Sequence, residues 1–238
     1  MSNKSNKPWQ PETPAPNITF YNANIVDVEA GQVVPNSVVR IKDGYIMDVS
    51  TDYAANLPQG SHAVDLQGQY ICPGLIDCHV HLITTPGGFS LKDLFAASPN
   101  SIAYRTAFVA RQMLLRGFTT ARDTGGADAA LRDAIAEGLI PGPRLFIAGK
   151  ALSQTGGHGD FRASYQREEH KCCGGHAPSL ARVCNGVPEC LETTRDELRQ
   201  GADFIKIMCG GGVATPSDAL DMLQFTAEEI RAITTTAK

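Results

Sequence analysis

Long apolar runs are missing from this chain of 238 residues. The longest apolar stretches, residues 71–75 and 204–208, are far shorter than the roughly 20 residues that a helix needs to cross a bilayer. Residues 1–16 are polar and rich in proline, and they lack the apolar segment of a secretory signal. We therefore predict a cytoplasmic protein without membrane contact, and we interpret residues 1–17 as a disordered leader.

Blocks of basic residues are also missing. The 21 Lys and Arg residues are outnumbered by 25 Asp and Glu residues, which gives a formal net charge of -4. Such a balance provides no basic surface for nucleic acid or anionic lipid. With 42% hydrophobic and 19% charged residues, the composition is that of an ordinary globular protein.

The seven cysteines contain no CxxC pair. Cys172, Cys173, Cys184 and Cys190 cluster in one segment, which leaves a zinc knuckle or disulfides as alternatives to free thiols. Their spacing fits no common zinc pattern, and two adjacent cysteines do not easily bind one ion together. Because the chain shows no export signal, we interpret these cysteines as reduced structural thiols.

Residues 18–71 show short apolar runs separated by turn residues. Asp43-Gly44 predicts a hairpin, because both residue types tolerate positive φ angles. About fifty residues bury too little surface to be stable alone, so this module needs another domain or further strands. The predicted strands are residues 18–23, 38–41, 45–49 and 63–66.

After Pro73-Gly74 the pattern changes to alternating strands and helices. Apolar residues at helical spacing predict a first helix that ends near Gly117, and Asp128 is placed to cap a second. Pro188 opens a third helix, and a capping box at Thr226 opens a fourth. The predicted strands are residues 75–82, 118–122, 144–148 and 204–208.

Four strand–helix units in series predict an α/β fold with a parallel sheet. A complete eight-stranded barrel needs about 250 residues, so the residues after 71 supply about half of one. A four-stranded open sheet that is complete in itself is the alternative, and the number of strands does not decide between the two.

His79 and His81 lie at the end of the first predicted strand of this series. Because side chains alternate along a strand, both imidazoles project from one face, at the end where barrel active sites form. They are candidate metal ligands, and the alternative is a pair of histidines satisfied within the core. Cys78 faces the other way and is not expected to act as a nucleophile.

Lys206 is the only charged residue in the apolar run 204–208. A buried ammonium is costly, so the amine must lose its charge, find a partner or be modified. Reaction of a neutral amine with carbon dioxide gives a carbamate, whose two oxygens can bridge two cations. The alternative is an ion pair with Asp77 or Asp123.

Several motifs that together cover nearly the whole chain after residue 18 resemble the amidohydrolase superfamily. The resemblance is to the branch containing imidazolonepropionase-like enzymes, Xaa-Pro dipeptidases and ochratoxinase. Residues 73–81 (Pro-Gly-Leu-Ile-Asp-Cys-His-Val-His) resemble the first strand of its barrel, and residues 201–208 resemble the strand with the carboxylated lysine. Further matching segments are residues 117–123, 156–160, 182–186 and 210–213.

The resemblance implies a partial β-sandwich at residues 18–71 followed by the first half of a (β/α)8 barrel at residues 72–238. It implies that His79 and His81 bind a metal ion and that Lys206, as a carbamate, bridges it to a second. Zinc is the expected metal, with one or two ions that activate a hydroxide. His158 would contact the scissile group or a carboxylate of a small amide or dipeptide substrate, and its alternative role is that of a loop histidine.

The family pattern stops at Lys238. Histidines of the fifth and sixth strands and the aspartate of the eighth, which is the general base, have no counterpart in this sequence. We therefore expect the chain by itself to be inactive and poorly folded, and a short product that binds metal or a partner weakly is the alternative to an enzyme. Asp160 and Arg182 are expected to hold the loop, and the full-length form is expected to be a homo-oligomer.

Overall fold

A computed structural model describes residues 7–10, 17–51, 62–85, 93–94, 97–165, 179–215 and 217–238. Most of the predicted leader, residues 1–17, lies outside these ranges. The chain divides into two units, residues 1–74 and residues 75–238. Within the described ranges, every helix is too short or too polar to cross a membrane.

The first unit contains one five-stranded mixed sheet. The strand order is β3-β2-β1-β4, and β5 also pairs with β1. β1 and β3 run antiparallel to β2, whereas β4 and β5 run parallel to β1. The strands are β1 Ile18–Asp27, β2 Gln32–Lys42, β3 Tyr45–Ser50, β4 His62–Asp65 and β5 Tyr70–Ile71.

The predicted hairpin joins β2 to β3. Asp43 and Gly44 have φ angles of 51° and 80°, as a two-residue turn of the primed type requires. Few side chains of this sheet are buried, and Tyr45 on β3 is 74% exposed. The described residues of the unit form a single sheet, so the second layer of a sandwich stays a prediction.

The second unit begins with a parallel sheet of three strands in the order β6-β7-β8. A helix follows each of the first two strands, which is the connection that parallel neighbours need. The elements are β6 Leu75–Val80, α1 Pro99–Leu115, β7 Phe118–Asp123, α2 Ala129–Ala136 and β8 Arg144–Ile147. The α/β class predicted from the alternating pattern is confirmed.

The two crossover helices have the predicted ends. The side chain of Asp128 accepts a hydrogen bond from the Leu131 N–H at 2.9 Å, and α1 ends before Gly117, whose φ angle is 93°. Met113 of α1 packs with Leu82, Ala121, Leu145 and Ile147, so the helix covers one face of the parallel sheet. This core fixes the strand ends on which the candidate site is built.

The region after β8 differs from the prediction. Two three-residue strands, β9 Ala151–Ser153 and β10 Ala181–Val183, pair in parallel within the segment that we expected to be loop. The predicted strand 204–208 is reduced to one parallel bridge between Leu152 and Ile207. Hydrogen bonds from Leu152 N to Lys206 O at 2.8 Å and from Met208 N to Leu152 O at 2.9 Å form that bridge. Lys206 therefore still lies beside β9.

Two further helices complete the unit, α3 Gly186–Arg199 and α4 Ala227–Thr236. The capping box that Thr226 and Glu229 were predicted to form is present at the start of α4. α3 begins at Gly186, two residues before the predicted start at Pro188. The described residues of this unit give a three-stranded parallel sheet, a separate parallel pair β9–β10 and one parallel bridge to β9, so a half barrel of four units stays a prediction.

Candidate active site at the strand ends

His79 and His81 lie side by side at the end of β6. Their ring centroids are 5.3 Å apart, and the ring planes meet at 77°, an edge-to-face arrangement. β6 ends at Val80, so one histidine belongs to the strand and the other begins the following loop. The structure thus brings together the two imidazoles that the HxH spacing predicted as ligands.

The ring of His81 is anchored through its Nδ1 atom, which lies 2.8 Å from the backbone oxygen of Gly125. A carbonyl can only accept, so Nδ1 donates and Nε2 keeps its lone pair. Metal-binding histidines commonly use this arrangement, because the second hydrogen bond sets the tautomer and the ring orientation. A side chain at Gly125 would come within 2.5 Å of the Leu180 oxygen, so glycine permits this close approach.

Asp123 stabilises the backbone around Gly125. Its buried carboxylate accepts hydrogen bonds from the backbone N–H groups of Leu82, Gly125 and Ala127 at 2.7, 2.9 and 3.3 Å. Burial raises the pKa of Asp123, against the lowering effect of these donors and of the nearby His81. Asp123 therefore holds the Gly125 loop in place.

Lys206 has no carboxylate within salt-bridge distance among the described residues. Asp123 is occupied by backbone donors, and Asp77 accepts a hydrogen bond from the His79 N–H at 3.0 Å. The ion pair considered as the alternative role of this lysine is absent there. The amine lies close enough to His79 for its charge to affect that imidazole.

Positive charge accumulates around His79. Burial lowers its pKa, and the charges of Lys206, His81 and Arg122 lower it further, whereas Asp77 opposes them. Arg122 donates from Nε to the Cys78 oxygen at 2.9 Å, and its guanidinium lies 5.3 Å from the centre of the Phe204 ring. Arg122 was not predicted as a neighbour of His79. Side chains alternate along a strand, so Thr120 and Arg122 lie on one face, and this alternation could have indicated the contact.

The residues fit part of a zinc site. Imidazole nitrogen is a preferred zinc ligand, the His81 Nε2 atom is free, and the low pKa of His79 favours the neutral form that binds metal. Among the described residues, no group of three or more His, Cys, Asp or Glu side chains could hold a metal ion. Lys206 would have to contribute the next ligand atoms, and as a carbamate it would add two oxygens.

His158 makes its contacts with a different set of residues. Its Nδ1 atom lies 3.0 Å from Oδ2 of Asp218 and 3.3 Å from Oγ1 of Thr215. Its backbone N–H donates to Oε1 of Gln224 at 2.9 Å. Gly212 lies against the ring, because a Cβ atom at that position would be 1.9 Å from Cε1 of His158.

Asp218, which contacts His158, was not predicted from the sequence as a site residue. Its side chain has no exposed area and accepts hydrogen bonds from the Gly212 N–H at 2.7 Å and from the Thr215 hydroxyl. Burial alone would raise the pKa of Asp218, but the hydrogen bonds from Thr215, His158 and Gly212 outweigh it and lower that pKa. The local sequence signal was a short segment, residues 215–218 (Thr-Pro-Ser-Asp), after the glycine-rich residues 210–213.

Asp160 and Arg182 make the structural contacts that we expected of them. Asp160 pairs with Arg162 and accepts from the Gly156 N–H at 2.9 Å. Arg182 pairs with Asp196 of α3 at 2.5 Å, which ties β10 to that helix. Asp160 therefore supports the loop that carries His158, whereas Arg182 joins β10 to α3.

The cysteines are free wherever the structure describes them. Cys184 and Cys190 are buried with their sulfur atoms 3.9 Å apart, and burial raises the pKa of Cys184 to about 12. The predicted structural thiols therefore agree with the geometry at this pair. Cys172 and Cys173 lie outside the described residues.

Comparison with known proteins extends these observations. Residues 70–238 match the profile described as Amidohydrolase family. Ochratoxinase of Aspergillus niger is 30% identical over 231 residues, and the match covers 91% of this chain and 47% of that protein.

Two solved structures support the same relationship. A prolidase crystallised with N-methylphosphonate-L-proline is 38% identical with a TM-score of 0.85, over 93% of this chain and 53% of that chain. A Xaa-Pro dipeptidase with bound methionine is 28% identical with a TM-score of 0.79, over 93% and 54% respectively. The chain spans about half the length of the relatives it matches.

Proposed function

The chain belongs to the amidohydrolase family, and from that premise we propose that the protein is a metal-dependent hydrolase of amide or dipeptide-like carbon–nitrogen bonds. The observation that carries this proposal is the pair of adjacent imidazoles, one of them anchored through Nδ1, near a lysine that has no carboxylate within ion-pair distance among the described residues. The same premise supports residues 72–238 as the first half of a (β/α)8 barrel and residues 18–71 as part of a β-sandwich.

His79, His81 and Lys206 would hold the metal, with zinc as the expected ion. One or two bound cations would polarise the scissile carbonyl and lower the pKa of an attacking water. The Gly125 carbonyl keeps the His81 Nε2 atom available. Burial, together with the positive charges of Lys206, His81 and Arg122, lowers the pKa of His79, which favours its neutral imidazole.

Carbamylation of Lys206 by carbon dioxide is favoured by the charges around it. The ammonium would stand in a region that already contains Arg122, and no carboxylate in the described part of the chain lies within ion-pair distance of the lysine. The ammonium first loses one proton, and the neutral amine then forms a bond to the carbon of carbon dioxide and releases a second proton to solvent. A positive group is thereby replaced by a negative one, so repulsion becomes attraction. A carbamate also supplies the oxygen ligands that the described side chains do not provide.

The substrate class is a small amide or dipeptide. Support comes from the prolidase with its bound phosphonate analogue of a proline peptide and from ochratoxinase, both similar to this chain over about half of their length. In this proposal His158 contacts the scissile group or the substrate carboxylate. Assembly into a homo-oligomer stays a prediction.

The test is a hydrolysis assay on the product of the complete reading frame that encodes this sequence. Three preparations are assayed with Xaa-Pro dipeptides and N-acyl amino acids: the protein as purified, the protein after a chelator has removed its metal, and the chelated protein after zinc has been added back. We expect release of the free amine that chelation abolishes and zinc restores. Equal turnover in all three preparations, or none in any, would contradict the proposal.

A further inference from the structure

His158 is held by its backbone, its ring nitrogen and its ring face. Gln224 accepts its N–H at 2.9 Å, Asp218 lies 3.0 Å from its Nδ1 atom, and Gly212 approaches Cε1 so closely that a Cβ atom would overlap it. A histidine with only a structural role in the loop would not require all three of these contacts. The contacts leave the Nε2 atom as the ring position without an assigned partner among the described residues.

The contacts of Asp218 determine which ring nitrogen of His158 carries the proton. An ionised carboxylate is an acceptor only, and both its oxygens already accept, Oδ2 from the Gly212 N–H and Oδ1 from the Thr215 hydroxyl. A nitrogen lone pair facing such an oxygen would be repelled, so the Nδ1 atom must donate. The side chain of Asp218 has no exposed area, so its carboxylate is directed at these partners and not at solvent.

We propose that Asp218 is a positioning residue that holds His158 in the Nδ1–H tautomer, so that the Nε2 lone pair is presented to the substrate of the hydrolase proposed above. The inference rests on that proposed function for its substrate, but its structural part does not depend on activity. His158 follows β9, and the Gly210–Gly212 turn follows Lys206 on the neighbouring bridge strand. Both therefore lie at the carboxyl ends of parallel segments, where ligands bind in α/β proteins.

The contacts of Gln224 also indicate that the backbone of His158 is fixed in position. Its Oε1 atom accepts from the His158 N–H, which fixes the amide orientation because a backbone N–H can only donate. The Nε2 atom of Gln224 is then buried without a partner among the described residues. An orphaned buried donor is costly, so the fold tolerates a penalty to keep the backbone of His158 in place.

The tautomer can be measured directly in protein labelled with ¹⁵N-histidine. Long-range ¹H–¹⁵N correlation spectra distinguish protonated from unprotonated ring nitrogens at a pH where the ring is neutral. The His158 signals are assigned by their loss in His158→Gln. We expect the Nδ1–H form in the wild type, and an Nε2–H form there would overturn the proposal without any variant.

Two substitutions of Asp218 distinguish a role in positioning the His158 ring from a general role in stability. Asp218→Ala removes the acceptor, and we expect His158 to lose its Nδ1–H preference. In Asp218→Asn the amide oxygen can take the place of Oδ2, where the Gly212 N–H requires an acceptor, so the tautomer should be retained. Asp196→Ala breaks the ion pair with Arg182 and serves as the control, with no change at His158.

If Asp218→Ala does not fold, the wild type and Asp218→Asn still decide the matter. The loss of the Nδ1–H form in Asp218→Asn, or its persistence in a folded Asp218→Ala, would count against the proposal. In the hydrolysis assay we expect Asp218→Ala to lower kcat about 100-fold with little change in KM, as for a misplaced reacting group. An inactive wild type with the expected tautomer would refute the proposed function and leave the positioning role intact.

Discussion

His81 and His158 each follow a short parallel strand and each is anchored through Nδ1, but the anchoring groups differ in charge. His81 meets the neutral backbone carbonyl of Gly125 at 2.8 Å, whereas His158 meets the carboxylate of Asp218 at 3.0 Å. His81 also stands beside His79, near which the charges of Lys206 and Arg122 converge.

The regions around His79 and His158 differ in whether their charged groups are neutralised by residues of the protein itself. Around His158 the negative charge of the Asp218 carboxylate is balanced by donors of the same chain, so this region needs no added ion for charge balance. Around His79 the positive groups find no matching carboxylate for Lys206 among the described residues. A carbamate anion together with a metal ion would balance the charges around His79. Neither is needed to balance the charges around His158.

The largest expected effect is on metal affinity. His79→Ala and His81→Ala should each weaken zinc binding about 100-fold or more, since loss of a ligand exceeds the 10- to 100-fold cost of losing a supporting contact. His62→Ala, on β4 of the other unit, is the matched control and should bind zinc like the wild type. Calorimetric titration measures all three, and equal affinities would remove the proposed distinction between the two regions.

Lys206→Ala tests whether a carbamate supplies the missing negative charge. In the proposed enzyme the substitution should lower turnover about 100-fold, because a positioned ligand and its charge are both lost. Short carboxylic acids added with zinc should restore part of the activity by supplying carboxylate oxygens. Lys150→Ala is a control lysine, and failure of every acid to rescue Lys206→Ala would argue against carbamylation.

Asp218→Asn sharpens the comparison through the acid dependence of stability. The folded protein lowers the pKa of Asp218 below the ordinary value of 3.8, so its contribution is fully present above that pH and is lost as the pH falls through the folded pKa. Wild type should therefore exceed Asp218→Asn by about 1–2 kcal/mol in free energy of unfolding at neutral pH. The two should converge once the pH has fallen through the folded pKa of Asp218, and a difference that persists in stronger acid would contradict the assignment.

The smallest expected effect distinguishes two neighbouring glycines. Gly212→Ala would place Cβ 1.9 Å from Cε1 of His158, whereas a Cβ at Gly210 meets nothing within 4 Å. We expect Gly212→Ala to destabilise the protein by about 1 kcal/mol through overpacking and to broaden the His158 NMR signals. Gly210→Ala should change neither quantity, and identical behaviour of the two variants would show that His158 is not held by this contact.

Local features were predicted well because their physics is local. The Asp43-Gly44 turn, the Asp128 cap and the Thr226 capping box each depend on a few consecutive residues. The side-by-side placement of His79 and His81 followed from strand alternation alone. The three-residue strands β9 and β10 escaped prediction because such short pairs form only when a neighbouring strand is present.

By itself the sequence determined the four long helices that the structure describes, the first three strands of the second unit, the α/β class and the HxH pair, since apolar periodicity and capping act over a few residues. Only the tertiary structure decided that Asp123 serves the Gly125 loop, that Lys206 has no carboxylate partner among the described residues, and that Asp218 meets His158. Asp218 is 60 positions from His158 in the chain. Contacts at that distance arise when parallel segments bring their ends together, and no local pattern encodes which side chains then meet.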